Sequence, residues 1–389
     1  MCKRPAPTRR DESRASTHRR AAIFLPLDVG ALSRDSLFRL PHRAGASITA
    51  ALCRRDGGVK RAAALIAVAV AVGTITATAA ARTHGSLPLR QVARVPLSGA
   101  PVRFDYTSID PTTHTLWISH MDASQLLAFN VVSRKITKTI SAPGVHGVIA
   151  VPQIGRVYAS ATNAREVLTI NSRTGKVLAS APAGEYPDGL AYDPVQKHVF
   201  ISDESGGVET VITASGHRIA TISLGGDAGN VQFDAATDHV LADVQTLNEI
   251  AVIDPKSNRI VKRIHVPNCN NDHGLLIDSP NRIAFVACDG NAKLLTLNLR
   301  TMSFTGTFNV GSSPDVLAFD AAKRRLYVSA ESGVVAVFAE TATSAKPLGM
   351  SFLATEAHTV AVDPATHLVY FPLQVGSNGQ PQLLIMRPT

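Results

Sequence analysis

The sequence predicts an all-β fold: a seven-bladed β-propeller with four-stranded antiparallel blades, closed by an N-terminal strand that completes the C-terminal blade. Three observations carry that prediction. One motif recurs seven times from residue 87 onward, its period lies in the forties, and each period contains several short runs of alternating apolar and polar residues. Aligned on a shared landmark, the copies place Asp110, Val151, Asp193, Asp234, Asp278, Asp320 and Asp363 at steps of 41 to 44 residues. Units of that length with several strands each cannot bury their apolar faces alone, and they stack as the blades of a propeller.

The third copy shows how one unit is built. An innermost strand is expected near Gly189–Tyr192, and Asp193-Pro194 starts the turn after it. A second strand follows at His198–Ser202, and the Gly206-Gly207 turn leads to a third near Val208–Thr213. Ser215-Gly216 then turns the chain into an outer strand at Arg218–Ser223. Asp-Pro recurs at 110, 193 and 363 because the Asp side chain bonds the backbone of a tight turn and Pro presets its φ.

Closure is also legible. The last copy stops after a third strand, Gln382–Met386, whereas Leu89–Leu97 has the pattern of an outer strand with no unit of its own. Placing the second beside the first completes a blade and removes two open edges. In the sixth unit, Thr341–Met350 loses its alternation, which predicts a frayed outer strand there.

The net charge of +9 resides in the N-terminal part. Residues 1–81 hold 14 Lys+Arg against 5 Asp+Glu, and residues 82–389 hold 25 of each sign. The repeat domain is formally neutral, so the basic balance does not point to a nucleic-acid partner. Aromatics make up only 5% and no basic patch interleaves them, which also weighs against base stacking. The lone Trp117 falls in a second strand and reads as core.

Ala62–Ala81 is an uncharged run that follows Lys60-Arg61 and ends in small residues, the anatomy of a secretory signal across residues 59–81. Cleavage near Ala79 or Ala81 would leave an exported protein in the periplasm, cell envelope or medium, without a permanent membrane span. Residues 1–58 are Arg-rich and irregular. They read as a disordered leader, or as a segment that is not translated if Val59 is an alternative start.

Two cysteines, Cys2 and Cys53, lie in that N-terminal part, and Cys269 and Cys288 share the fifth unit. One precedes an inner strand and the other ends its neighbour, so both fall at one sheet edge. In an exported protein this pattern predicts a disulfide; two buried thiols or a metal pair is the alternative.

Stretches such as VYASATNAREVLTINSRTGKVLASAPAGEYPDGLAYDP, together with Val252-Ile253-Asp254, resemble the YVTN-type (YncE-like) repeat of bacterial exported propellers. The resemblance covers residues 87–389. It implies a seven-bladed fold and a binding role, and it carries no shared catalytic motif.

The residues opening the inner strands are Asp105, His146, Asp188, Gly229 with Asn230 one step on, His273, Asp315 and His358. Inner strands line the channel, so these positions crowd its mouth. The ends of the second strands add Asp203, Glu204, Asp289 and Glu331. Imidazoles and carboxylates converging on a concave mouth suit ligand binding, a divalent cation or acid–base work. The same residue types also cap turns, and that structural role stays open at this point. Any metal would need ligands from neighbouring blades or bridging water, since bonds of about 2.0–2.2 Å cannot span a wide channel.

No G-x-S-x-G, H-E-x-x-H or phosphate-cradling Gly loop occurs. The expected function is therefore a monomeric, non-catalytic binding or scaffold propeller that offers its channel mouth to an envelope protein or small ligand, with no assured cofactor. The alternative is a metal-assisted, lactonase-like hydrolase or lyase using the Asp/His ring.

Overall fold

In the computed structural model the structure is described for residues 86–389. The expected signal segment (59–81) and basic leader (1–58), with Cys2 and Cys53, lie outside the described residues. Among the described residues no helix is long and apolar enough to cross a membrane.

Seven four-stranded antiparallel sheets form the seven blades. Their inner strands are Thr107–Asp110, Val145–Val151, Pro187–Asp193, Ala228–Asp234, Asp272–Asp278, Pro314–Asp320 and Ala361–Val362, numbered here as blades one to seven. Each inner strand adjoins the next, and Ala361–Val362 touches both Pro314–Asp320 and Thr107–Asp110, so the ring closes. In blade three the strands are Pro187–Asp193, His198–Asp203, Val208–Thr213 and Arg218–Ser223, within a few residues of the expected bounds.

The closing strand is Leu89–Pro96. It pairs antiparallel with Gln382–Pro388, with Leu89 opposite Pro388 and Pro96 opposite Gln382. The seventh blade therefore joins both ends of the described chain, and its backbone ladder holds the ring shut.

The sixth blade differs from the expectation of a frayed outer strand. Ala345–Phe352 pairs along its whole length with Val334–Glu340, from Glu340 opposite Ala345 to Val334 opposite Phe352. An outer strand is held by backbone bonds and does not need strict alternation. Its irregular side chains have specific causes. Pro347 sits beside the bulge between Val337 and Phe338. At Gly349 the chain passes so close under the N-terminal segment that a Cβ would lie 2.5 Å from the Ser86 carbonyl oxygen.

The core lies between blades. Trp117 of blade one is fully buried with Val157 and Leu168 of blade two, and Phe200 of blade three packs with Val240 of blade four. Leu116 and Phe129 of blade one meet Tyr370 and Leu383 of blade seven, so the final seam is as apolar as the others.

The repeated aspartates act as turn formers. Oδ1 of Asp110 accepts from the backbone N–H of Thr112 and Thr113, Asp193 from Val195 and Gln196, and Asp363 from Ala365. The copy with Val151 in this place makes its turn instead through a 3-10 segment, Pro152–Ile154, that ends on Gly155 at φ 62°.

Candidate functional site

The mouth residues are positioned by a recurrent backbone device. In blades two, three, four and six the inner strand carries two residues opposite one on its partner: His146-Gly147, Asp188-Gly189, Gly229-Asn230 and Asp315-Val316. In blade five the inserted residue is His273 alone, between the pairs Asp272–Cys288 and Gly274–Ala287. Such bulges bend the strand and re-aim a side chain. The candidate residues are thus bulge residues one step inside the strand rather than its first residues. Asp105 and His358 precede the regular pairing of blades one and seven, which starts at Thr107 and Ala361.

Gly147 shows why small residues share these bulges. A Cβ there would stand 2.0 Å from the Asp188 carbonyl oxygen of the next blade. The close approach of neighbouring backbones requires its absence.

A cavity of about 420 Å³ opens at this end of the channel. Six carboxylates line it: Asp105, Asp188, Glu204, Asp289, Asp315 and Glu331. Arg103, His146, His273, Tyr106, Tyr186, Met121 and Gln245 complete the wall. Asp105, Asp188 and Asp315 are nearly buried, at 3%, 4% and 7% exposure, and none of them accepts a bond from a turn backbone. The turn-cap role therefore does not describe these three.

It does describe Asp203. That carboxylate accepts from the backbone N–H groups of Glu185, Tyr186 and Gly206, and it does not line the cavity. Two further candidates sit elsewhere than at the mouth wall. Asn230 accepts from the Tyr106 hydroxyl at 2.8 Å and lines a second, deeper cavity. His358 is 1% exposed, behind Asp315.

The ionic geometry centres on Asp315. His273 Nε2 lies 3.3 Å from its Oδ1, and the contact is an ion pair rather than an aligned hydrogen bond, since that oxygen has no hydrogen-bond partner. Arg103 reaches Glu331 at 2.8 Å, Glu356 at 3.6 Å and Asp315 at 3.8 Å. Burial works against a charged His273, but contact with Asp315 and the charges of Asp315, Asp188 and Glu204 outweigh it and push the imidazole up to about 10. Burial likewise opposes charge on Asp315, yet His273, His358 and Arg103 together hold it below the usual carboxylate range.

The other acids move the opposite way. Burial, followed by the charges of Asp315 and Asp188, holds Asp105 well above the ordinary range. Burial and then Glu204 push Asp188 up to about 7. The mouth carries more carboxyl groups than its own cations can neutralise.

Burial favours the neutral form of His146, lowering its pKa. Its Nδ1 lies 2.8 Å from the Gly144 carbonyl, which can only accept, so Nδ1 carries the proton. Nε2 then accepts from the Tyr186 hydroxyl at 2.8 Å.

Cys269 and Cys288 form a disulfide with a Cα–Cα distance of 5.4 Å. Beside it, the N–H groups of Asp289 and Gly290 donate to the carbonyls of Asn271 and Asn270, at 2.8 and 2.9 Å. The link fixes the segment leading to His273 against the turn that carries Asp289.

Arg103, Tyr106 and Tyr186 had no signal in the repeat pattern. Arg103 precedes the first copy and Tyr186 precedes the third inner strand, so both lie outside the aligned positions, whereas Tyr106 falls inside the alignment, at the position of Asn230, where the copies do not share one residue type.

Fold and site together define a seven-bladed β-propeller with a deep acidic channel mouth. The chain is similar to the uncharacterized protein YncE of Salmonella typhimurium and of Salmonella typhi. Each match is 21% identical over 240 residues and covers 57% of this chain and 67% of the relative, which supports a YncE-like propeller. No known family profile matches the sequence. Among solved structures, hydrazine synthase of Kuenenia stuttgartiensis superposes with a TM-score of 0.63 at 12% identity, over 72% of this chain and 94% of that one. The WD40 repeats of RRP9 give 0.65 at 9% identity, over 77% and 100%. At such identities the likeness is one of fold.

Proposed function

We propose that this chain is an exported, non-catalytic binding propeller whose channel mouth takes a small, positively charged ligand. One observation carries the reading: six carboxylates converge on a cavity of about 420 Å³ whose cationic side chains are Arg103 and His273. A cavity of that size suits a small molecule, and excess negative charge in a confined, poorly solvated space favours a cation. The seven-bladed propeller fold supports a scaffold or binding role. The Cys269–Cys288 disulfide is compatible with export to an oxidising compartment.

A thermal-shift screen tests the class of ligand. Small organic cations such as diamines and polyamines should raise the melting temperature, and matched anions should not. Glu204→Gln and Asp289→Asn, which remove charge without emptying the wall, should weaken the shift. Equal stabilisation by anions, or no stabilisation by any cation, would contradict the reading.

A metal-assisted, lactonase-like hydrolase or lyase at the same mouth is the second reading. It is favoured by the close approach of Asp105, Asp315 and His358.

A further inference from the structure

We infer that Asp105, Asp315 and His358 form a site for one borderline divalent transition-metal ion, an assignment that rests on the cation-binding reading of the mouth and names one cation it holds. The three residues come from blades one, six and seven, which are consecutive around the ring because blade seven lies between the other two. One ligand atom from each lies within 4.8 Å of the others. Three ligands on one ion with bonds of about 2.1 Å stand about 3.4–3.6 Å apart, so the side chains close by up to about 1.4 Å to seat it.

The second observation is the imidazole of His358. Its Nδ1 lies 3.0 Å from the carbonyl of Glu356, which can only accept a hydrogen bond. Nδ1 therefore carries a proton, and Nε2 is the nitrogen open to a metal ion. That nitrogen has no hydrogen-bond partner, on a side chain 1% exposed, and it faces Oδ2 of Asp315 at 4.0 Å. Beside that carboxylate Nε2 is stabilised by a proton or by a metal ion, and a metal ion bridging the two would displace the proton. The arrangement also follows the usual form of a metal-binding histidine, one nitrogen fixed by a backbone carbonyl and the other free for the ion.

The remaining contacts leave room for that role. His273 engages Oδ1 of Asp315, so Oδ2 is the oxygen turned toward His358. Arg103 lies 3.8 Å from Oδ2, but its shortest contact, 2.8 Å, is with Glu331. Two carboxylate oxygens and one imidazole nitrogen suit Mn²⁺, Co²⁺ or Zn²⁺ better than Ca²⁺, which prefers an all-oxygen shell. Asp105 and Asp315 line the mouth cavity, so the open coordination positions would face it.

The test is titration of the full-length chain, stripped with chelator and dialysed, with Zn²⁺ by calorimetry and with Co²⁺ by visible absorption. One site per chain with cobalt bands of a nitrogen–oxygen shell is expected. His358→Gln and Asp315→Asn each remove a ligand atom and should weaken that site by roughly a hundredfold or more, since losing even an outer partner costs about 10–100-fold. Glu166→Gln, at a side chain that bonds Ser180 on the outer strands of blade two, should leave it in place. Circular dichroism and metal-free melting of each variant show whether it is folded. Asp105→Asn supplies an independent check if one of the others is not. Absence of a stoichiometric site, or a site that survives His358→Gln in the folded variant, would overturn the assignment. If organic cations still bind when metal does not, the metal site alone has failed; if neither binds, the reading of the mouth fails with it.

Discussion

The Tyr106 hydroxyl, at the start of blade one, donates to Oδ1 of Asn230 in blade four at 2.8 Å. Blades one and four stand across the ring from each other, so this bond is a bar over the channel. Above it lies the acidic cavity and below it a second cavity lined largely by inner-strand apolar residues such as Val148, Leu190, Leu275 and Val316. The bar is the floor of the mouth.

Tyr106→Phe keeps the ring and removes the donor, leaving a buried amide oxygen without its partner. A loss of about 1–3 kcal/mol in unfolding free energy is expected, together with weaker binding at the mouth because its floor is no longer fixed. Denaturant unfolding of the variant beside the native chain measures the first effect. An unchanged midpoint would show that the bond is not formed in solution.

Glu209 gives a prediction in pH. It is fully buried in the third strand of blade three, accepts from Ser202 Oγ at 2.8 Å through one oxygen, and has no partner for the other. Burial pushes its carboxyl up to about 8. The folded protein holds this proton up to about pH 8, whereas the unfolded chain releases it near 4.5. The contribution to stability is therefore complete below 4.5 and is lost as pH rises toward 8, at a slope of at most about 1.4 kcal/mol per pH unit. Glu209→Gln should flatten that part of the profile and exceed the native protein in stability at pH 9. Denaturation midpoints at pH 5, 7 and 9 decide it, and parallel profiles for the two proteins would refute the assignment.

The architecture was legible in the sequence because a propeller repeats its hydrophobic pattern, and the landmark from Asp110 to Asp363 marks an Asp-capped turn in every copy except that of Val151, which turns through a 3-10 segment. The closing strand could be read because Leu89–Leu97 matched a unit part with no unit. The sixth outer strand could not, because Gly349 and Pro347 answer to the N-terminal segment and to a bulge, which are tertiary facts. In the site, alternation found the bulge residues but could not separate Asp203, which caps a turn, from Glu204 next to it, which lines the cavity. Arg103 was invisible for a different reason: it lies outside the repeat, in the strap that leads from the closing strand.

Removing that closing strand should open the ring. Deletion through Pro96 exposes the Gln382–Pro388 edge and part of the seam between Leu116, Phe129, Tyr370 and Leu383. Aggregation and a lower melting temperature are expected, measurable by light scattering during a thermal ramp. A monomeric deletion variant with native stability would contradict the closure.

The disulfide prediction concerns the mouth more than the fold. Cys269→Ser with Cys288→Ser should cost on the order of 3 kcal/mol by loop-closure entropy and loosen the segment before His273. Hydrogen exchange at residues 270–273 should rise in the double variant. Peptide mapping of thiols in the denatured, non-reduced native protein should find Cys269 and Cys288 linked, and free thiols at both positions would remove the basis of the prediction.

The most direct test of the central claim is a crystal structure of the protein grown with the organic cation that stabilises it most. The account predicts density for that cation inside the channel mouth, its charged group within contact distance of carboxylates among Asp188, Glu204, Asp289 and Glu331, above the Tyr106–Asn230 bar. Density for the cation at any other face, with the mouth holding water alone, would contradict it.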